Sequence, residues 1–329
     1  MKVQWVYCPI CNNKTREKVR EDTVIKNFPL YCPKCKNETL VSIENLKLNV
    51  IKEPDAKTQS RWTNKYICFY IYSLSVFLYS KERTMDAIKI DNLTKKYKNL
   101  VAVDHLNLTV KEGELFSLLG VNGAGKTTTI KMLSCLTKPN SGDAFLGGES
   151  IVTAPKKVKN IIGVSPQETA VAPNLTVKEN LELMCGVHNF SKGKKVAKVN
   201  ELAEQFDLNS ILNKKAGKLS GGWQRRLSIA MALISEPKIL FLDEPTLGLD
   251  VIARSELWDN IRQLKGKITI ILTTHYMEEA EVLSDHIAVM KGGKLLALGT
   301  VDELKKQTNE DKFEDAFIQI VKGVSKWEC

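Results

Sequence analysis

Two short stretches of this chain carry residues whose types and order suit phosphate chemistry. Gly120-Val-Asn122-Gly123-Ala-Gly125-Lys126-Thr127 fits the pattern G-x-x-x-x-G-K-[ST]. It follows the apolar segment Leu-Phe-Ser-Leu-Leu and precedes a helix-forming stretch, the context that such a loop requires. Glycines without Cβ atoms let successive backbone N–H groups turn inward around an anion, and the positive end of the following helix adds to the attraction. Lys126 is then placed for the β- and γ-phosphates of a nucleotide, Thr127 for Mg²⁺ and Thr128 for a phosphate oxygen.

The second stretch, Ile239-Leu-Phe-Leu-Asp243-Glu244, is an apolar strand ending in two carboxylates. A strand end beside a phosphate loop is where Mg²⁺ needs an acidic partner, and Asp243 suits that role. Glu244, one residue on, can face a water aligned with the γ-phosphate and is the candidate base. A solitary glycine-rich turn or a solitary acidic strand end has a bland structural explanation. Together they point to nucleotide hydrolysis.

The elements that must hold these residues read as α/β from Met85 onward. Residues 87–90 and 101–110 alternate like strands, and 114–119 forms a short apolar strand. Residues 239–242 and 268–272 are continuous apolar runs, expected of buried parallel strands. Residues 174–235 are mostly helical in period. Residues 286–298 read as a hairpin turning at Gly292-Gly293, and Thr300-x-x-Glu303 as a capping box. Phe313, Ala316, Phe317, Ile320 and Val321 share one helical face, expected to pack into the core.

Composition limits the alternatives. The chain has 329 residues, 43% hydrophobic and 26% charged, which excludes wholesale disorder. No apolar run reaches the length of a membrane-spanning helix, which excludes a polytopic membrane protein. Residues 1–84 hold 15 Lys and Arg against 8 Asp and Glu, whereas residues 85–329 hold 33 against 30. The net charge of +10 therefore sits mostly in the first quarter, and nucleic acid is not expected as a partner of the main domain. No apolar signal segment follows the N-terminal Met, so the cytoplasm is the expected compartment.

The residues between the two phosphate motifs resemble those of the ATP-binding subunits of ABC transporters. Leu219-Ser220-Gly221-Gly222-Trp223-Gln224-Arg225-Arg226 resembles the family's signature sequence, and Ser220 lies 94 residues after Lys126. Trp223 departs from the residues most expected there, without an expected loss of function. By the same resemblance Tyr97 stacks on adenine, and Gln167 in Ser-Pro-Gln contacts Mg²⁺ and the attacking water. Gly248-Leu-Asp250 forms the loop after the acidic strand, and His275 contacts the γ-phosphate. The resemblance covers about residues 85–329. It implies a P-loop NTPase of the ABC ATPase type with a helical subdomain. Two such subunits would sandwich two ATP molecules head to tail. One subunit would contribute Tyr97, the phosphate loop, Gln167, Asp243, Glu244 and His275, and the other Ser220, Gly221 and Gly222. Further implied partners are a second ATP-binding subunit and transmembrane permease subunits, which would keep the chain on the cytoplasmic face of the membrane. The run His275-Tyr-Met-Glu-Glu-Ala-Glu281 and the segment beginning at Phe313 resemble drug- and antibiotic-export ATPases. His105, His188 and His286 have no such support and are expected to be structural.

Residues 1–60 read as a separate module. Cys8-Pro-Ile-Cys11 and Cys32-Pro-Lys-Cys35, separated by 20 residues, suit a tetrahedral Zn²⁺ site of the ribbon type. Redox dithiols are the competing reading, weakened by the lack of a thioredoxin-like βαβ pattern. A module this small has little core, so a metal would supply much of its folding energy. It resembles the cysteine-rich KTR proteins through Asn13-Lys14-Thr15-Arg16, Asn27-Phe-Pro-Leu-Tyr31 and the text from Glu53 to Arg61. Residues 61–84 form a hydrophobic linker. Residues 66–79 hold no charge and six aromatic side chains. As a helix they would extend about 21 Å against a hydrocarbon core of about 30 Å, so a joint between two coding units is expected rather than an anchor. Met85 resembles a translation start placed inside a longer frame.

The expected function is ATP binding and hydrolysis driving a separate permease, with an appended zinc-ribbon-like module. The alternative is a non-transport ABC ATPase acting on nucleic acid or ribosomes through that module.

Overall fold

The computed structural model describes residues 3–20, 23, 25–44, 46–50 and 86–323. The chain divides into two compact units, Met1–Arg83 and Thr84–Cys329. The apolar stretch at 66–79 lies outside the described residues.

In the first unit, β1 (Val3–Tyr7) pairs antiparallel with β2 (Lys14–Arg20). Three further strands, β3 (Ile25–Tyr31), β4 (Glu38–Glu44) and β5 (Lys47–Val50), form an antiparallel sheet in the order β3-β4-β5. Alternation along these strands turns Val6, Val19, Leu30, Val41 and Ile43 into one small core. The two Cys-Pro-x-Cys sequences occupy the β1–β2 and β3–β4 turns.

The second unit begins with a long antiparallel hairpin of β6 (Asp86–Tyr97) and β7 (Leu100–Lys111). Residues 87–90 are thus only the start of a strand that runs on to Tyr97. Shifts of register along the hairpin break the simple alternation there. With β9 (Ser141–Leu146) and β10 (Glu149–Ser150), these strands make a four-stranded sheet ordered β10-β9-β6-β7.

The second sheet contains β8 (Leu115–Gly120), β11 (Ile162–Ser165), β12 (Ile239–Asp243), β13 (Thr269–Thr274), β14 (His286–Lys291) and β15 (Lys294–Gly299). Its order is β11-β12-β13-β8-β14-β15, parallel except for the terminal β14–β15 hairpin. Every residue of β8, β12 and β13 is buried, which is why the apolar residues of these strands run consecutively rather than alternating, with the polar residues mostly towards the strand ends. The β14–β15 turn at Gly292 and Gly293 takes positive φ at both residues, as expected.

The helices follow in chain order. α1 (Lys126–Leu133) leaves the loop after β8, and α2 (Pro155–Lys159) precedes β11. The helical stretch after β11 contains α3 (Val177–Val187), α4 (Lys192–Gln205), two short 3₁₀ turns and α5 (Gly221–Leu233). α6 (Val251–Arg262) and α7 (Met277–Leu283) follow β12 and β13. α8 (Val301–Thr308) opens with the complete Thr300–Glu303 capping box, and α9 (Phe313–Lys322) buries Phe313, Ala316 and Phe317. Among the described residues, no helix is long and apolar enough to cross a membrane.

Candidate functional site

Parallel strands bring their carboxyl ends to one edge of the sheet, the usual position for a ligand in open α/β folds. Here β8 ends at Gly120, β12 at Asp243 and β13 at Thr274. The register pairs Asp243 with Thr273, and Thr274 with Leu119. Residues more than 100 positions apart in sequence thereby meet.

The loop after β8 is shaped by its glycines. A Cβ on Gly120 would run into the Met290 carbonyl. Gly125, at the N-cap of α1, has φ 102°, and a Cβ there would lie 2.5 Å from the Ala102 carbonyl oxygen. Asn122 and Gly123 are exposed on the loop, while Thr127 and Thr128 are half-buried in the first turn of α1. Lys126 is 5% exposed and donates from Nζ to the carbonyls of Gly120 (2.7 Å) and Val121 (3.3 Å).

Across the loop, Thr127 donates its hydroxyl to Asp243 Oδ1 at 3.1 Å. Thr273 donates to the same oxygen. Its Oγ1 also accepts the backbone N–H of Glu244 at 3.0 Å, so one threonine fixes both acidic positions. Glu244 has φ 47°, a left-handed conformation uncommon for a residue with a side chain. This backbone turn takes its carboxylate off the strand axis. Oε1 then lies 3.5 Å from Lys126 Nζ and Oε2 lies 2.8 Å from His275 Nδ1. The side chain of Glu244 is 9% exposed. His275 follows β13 directly, and its ring packs against that of Tyr276 with centroids 4.1 Å apart. Arg254 lies over the Tyr276 ring.

The arrangement joins one ammonium, two carboxylates, an imidazole and two hydroxyls. A hydroxyl and a carboxylate oxygen that already converge form a hard-oxygen donor set of the kind Mg²⁺ uses. The second carboxylate, held between a lysine and a histidine, is placed to accept a proton.

Other expected site residues stand elsewhere in this unit. Tyr97 ends β6 and is 45% exposed, with Lys95 Nζ 5.1 Å from its ring centre. Gln167 follows β11 and its side chain is exposed. Ser220 caps α5, with Ser220 and Gly221 exposed and Gly222 half-buried. Among the described residues, no hydrogen bond or ion pair links Ser220, Gly221 or Gly222 to Lys126, Asp243, Glu244 or His275. Asp250 caps α6 by accepting from the Ala253 N–H at 2.9 Å. Trp223 packs beneath Arg226, whose guanidinium lies 4.7 Å from its ring centre. His286 and His105 are bound to Glu114 and Asp104, and His188 caps α3 against Phe190.

Three residues near this site carry no role in the motif reading. Thr273 looks like an ordinary strand residue, and only its place two positions before His275 marks it. Glu279, on α7, is fully buried; its Oε1 accepts from the Trp258 indole N–H at 3.2 Å. Burial holds its carboxyl above the usual range. Arg225, inside the Ser220–Arg226 run, is also buried.

In the first unit, the two Cys-Pro-x-Cys turns have matching backbones. Cys8 N–H donates to the Asn13 carbonyl and Asn12 N–H to that of Cys8; Cys32, Asn37 and Lys36 repeat the pattern. Asn12 and Lys36 both take positive φ. The four sulfurs lie within 4.8 Å of one another, with Cys8–Cys35 at 3.7 Å and Cys11–Cys32 at 3.5 Å. A tetrahedron with Zn–S bonds of about 2.3 Å has edges of about 3.8 Å, so the cluster fits zinc. The Asn13 side chain and then its backbone N–H pull the Cys11 thiol down to about 6. Asn37 pulls Cys35 the same way, but burial and three neighbouring thiols push it up to about 12. The described part of this unit contains strands and turns, with no βαβ unit around the thiols among the described residues.

A parallel sheet with a glycine-rich loop, an acidic strand end and a helical insertion between them defines a P-loop nucleotide hydrolase. The family described as "ABC transporter" matches residues 103–247, and that described as "Cysteine-rich KTR" matches residues 3–56. The chain is 42% identical over 229 residues to the "Daunorubicin resistance ATP-binding protein DrrA3" of Streptomyces coeruleorubidus, covering 69% of this chain and 72% of that one. It is 41% identical over 240 residues to the "Probable multidrug ABC transporter ATP-binding protein YbhF" of Escherichia coli (strain K12), covering 71% of this chain and 41% of that protein. Among solved structures, the dimeric post-hydrolysis state of the ATP-binding cassette MJ0796 bound to ADP and Pi matches with a TM-score of 0.60 and 28% identity. That match covers 65% of this chain and 98% of that one. The chain therefore belongs to the ABC transporter ATP-binding family and is an ATP hydrolase of that type, with a cysteine-rich KTR module at its N-terminus.

Proposed function

We propose that this chain is the ATP-hydrolysing subunit of an exporter of drugs or antibiotics and drives separate permease subunits through ATP-dependent dimerisation. The observation that carries the reading is the convergence of Lys126, Thr127, Asp243, Glu244 and His275 at one sheet edge. The named relatives, one a daunorubicin-resistance protein and one a multidrug transporter subunit, support the export assignment. The dimeric state of the MJ0796 cassette supports the second ATP-binding subunit.

In this reading Lys126 and the N–H groups of the loop from Gly120 to Gly125 hold the phosphates, with Asn122, Gly123 and Thr128 beside them. Tyr97 stacks on the adenine. Thr127, Asp243 and Gln167 hold Mg²⁺, which supplies charge neutralisation at the β- and γ-phosphates. Glu244 accepts a proton from the water that attacks the γ-phosphorus. The bond to the β–γ bridging oxygen breaks, giving ADP and phosphate. His275 keeps the Glu244 carboxylate oriented and faces the γ-phosphate. Ser220 and Gly221, exposed at the start of α5, and the half-buried Gly222 serve the nucleotide of the second subunit. The domains divide as 1–60, a linker at 61–84, and 85–329. Cys8, Cys11, Cys32 and Cys35 hold one structural Zn²⁺. Association with the permease keeps the chain at the cytoplasmic face of the membrane.

The test is phosphate release by the purified chain with Mg²⁺ and ATP, and gel filtration of Glu244→Gln with ATP. A turnover-deficient variant that runs as a dimer only with ATP is expected. A full-length chain without ATPase activity, and monomeric in both states, would overturn the reading.

A further inference from the structure

Two arginines lie side by side in the Ser220–Arg226 run and have opposite surroundings. Arg226, itself 6% exposed, pairs with two surface carboxylates, Asp207 at 3.3 Å and Glu256 at 2.5 Å. Arg225 turns inward and is 5% exposed. Among the described residues it forms no direct ion pair. Its guanidinium donates instead to three backbone carbonyls: Pro166 at 2.6 Å, Gln167 at 2.6 Å and Glu244 at 3.5 Å. Burial pulls its pKa down, and the charges of Asp243 and Glu279 oppose that at longer range. A buried cation is costly without close partners, so these carbonyls hold it and it holds them.

The three carbonyls belong to the segments that carry Gln167 and Glu244. The helix that carries Arg225 has Ser220 at its N-cap, about one and a half turns earlier. We propose that Arg225 is a positioning residue that locks the Ser220 helix to the Gln167 loop and to the Glu244 backbone, and so couples the two ATP sites of the dimer. The inference rests on the dimer reading, in which Gln167 and Glu244 serve one nucleotide while Ser220 of the same chain serves the other. A shift of the Gln167 backbone at one site is then transmitted through the planar fork of Arg225 to the helix N-terminus at the second site. A planar guanidinium satisfies several carbonyls at fixed angles, whereas a lysine ammonium on a flexible stem does not reproduce that fork.

The experiment uses the full chain with Arg225→Lys and Arg225→Gln, each alone and in the Glu244→Gln background. Binding of a fluorescent ATP analogue is expected to stay within about two-fold of the parent. The ATP concentration for half-maximal dimer formation in the Glu244→Gln background is expected to rise about ten-fold for Arg225→Gln and less for Arg225→Lys, within the span of ordinary coupling energies. Turnover of the single variants is expected to fall in the same order. A change in dimerisation at unchanged nucleotide affinity is not what simple loss of folding gives. Should Arg225→Gln melt early, Arg225→Lys carries the test, since it keeps the charge. A normal Glu244→Gln dimer whose ATP dependence neither Arg225 variant moves would refute the coupling alone. Glu244→Gln remaining monomeric at saturating ATP would refute the dimer, and the coupling with it.

Discussion

Glu244 Oε2 lies 2.8 Å from His275 Nδ1, while its other carboxylate oxygen lies 3.5 Å from Lys126 Nζ. Each oxygen of one carboxylate thus faces a different nitrogen, one from the phosphate loop and one from the end of β13. A carboxylate held at both ends has little freedom to leave its alignment. Glu244→Gln keeps the shape and removes the proton acceptor. Turnover is expected to fall by about 10²–10⁴-fold, the usual contribution of a general base, with ATP binding retained. Phosphate release and fluorescent-nucleotide titration check both halves; unchanged turnover would remove Glu244 from that role.

Lys126 contributes through charge. Its Nζ already lies against the Gly120 and Val121 carbonyls, at the mouth of a loop shaped for an anion. Charge-assisted hydrogen bonds contribute about 1.5–3 kcal/mol, so Lys126→Ala is expected to weaken ATP binding by about ten- to a hundred-fold. Equilibrium titration with a fluorescent ATP analogue measures this directly. Undiminished affinity would count against the loop as the phosphate site.

Glu279 offers a test through pH. Burial raises its folded-state pKa above the ordinary 4.5, and the Thr274, Thr246 and Trp258 side chains, then the Arg254 charge, oppose that. The folded protein therefore holds this proton more tightly than the unfolded chain does. Stability from this group is intact below about 4.5 and is lost as pH rises towards the folded value. Oε2 and the nearby Thr246 hydroxyl are buried without a well-formed hydrogen bond. Glu279→Gln keeps an acceptor for Trp258, adds an amide donor and never ionises. Its melting temperature is expected to match the parent near pH 4.5 and to exceed it increasingly towards pH 8. A gain of about 1 kcal/mol would read as about 2–4 °C in a domain of this size. Parallel melting curves for the two proteins at all pH values would contradict the assignment.

The parts of the site that were legible in the sequence are those where chemistry forces a local pattern. Lys126 and Thr127 needed glycines before them and a helix after them, and Asp243 and Glu244 needed a buried strand to reach the sheet edge. The paired cysteines were legible for the same reason, since four thiols converging on one point require two tight turns. The strand order was not legible: β8 lies between β13 and β14, and nothing local in Leu115–Gly120 says so. Thr273 and Arg225 escaped because their partners are a carboxylate and carbonyls from distant segments. The full length of β6 escaped because its register shifts disrupt the period-2 pattern.

The cysteine cluster makes its prediction in the other unit. Cys8 and Cys32 are buried and Cys11 and Cys35 half-buried, all converging from two matching turns onto one point. Among the described residues the core beside them has five buried side chains, few for a module without a staple. About one zinc per chain is expected in protein purified under reducing conditions, by elemental analysis. Cys32→Ser removes a fully buried thiol and is expected to lose most of that zinc and to melt the module, as in small domains whose metal affinity is folding free energy. ATP turnover by the full chain and by residues 85–329 is expected to agree, since each residue of the phosphate site lies in the second unit. A zinc-free module that keeps its fold would overturn the structural-metal assignment. A large gap between the two turnover rates would instead make residues 1–84 part of the ATPase's working machinery.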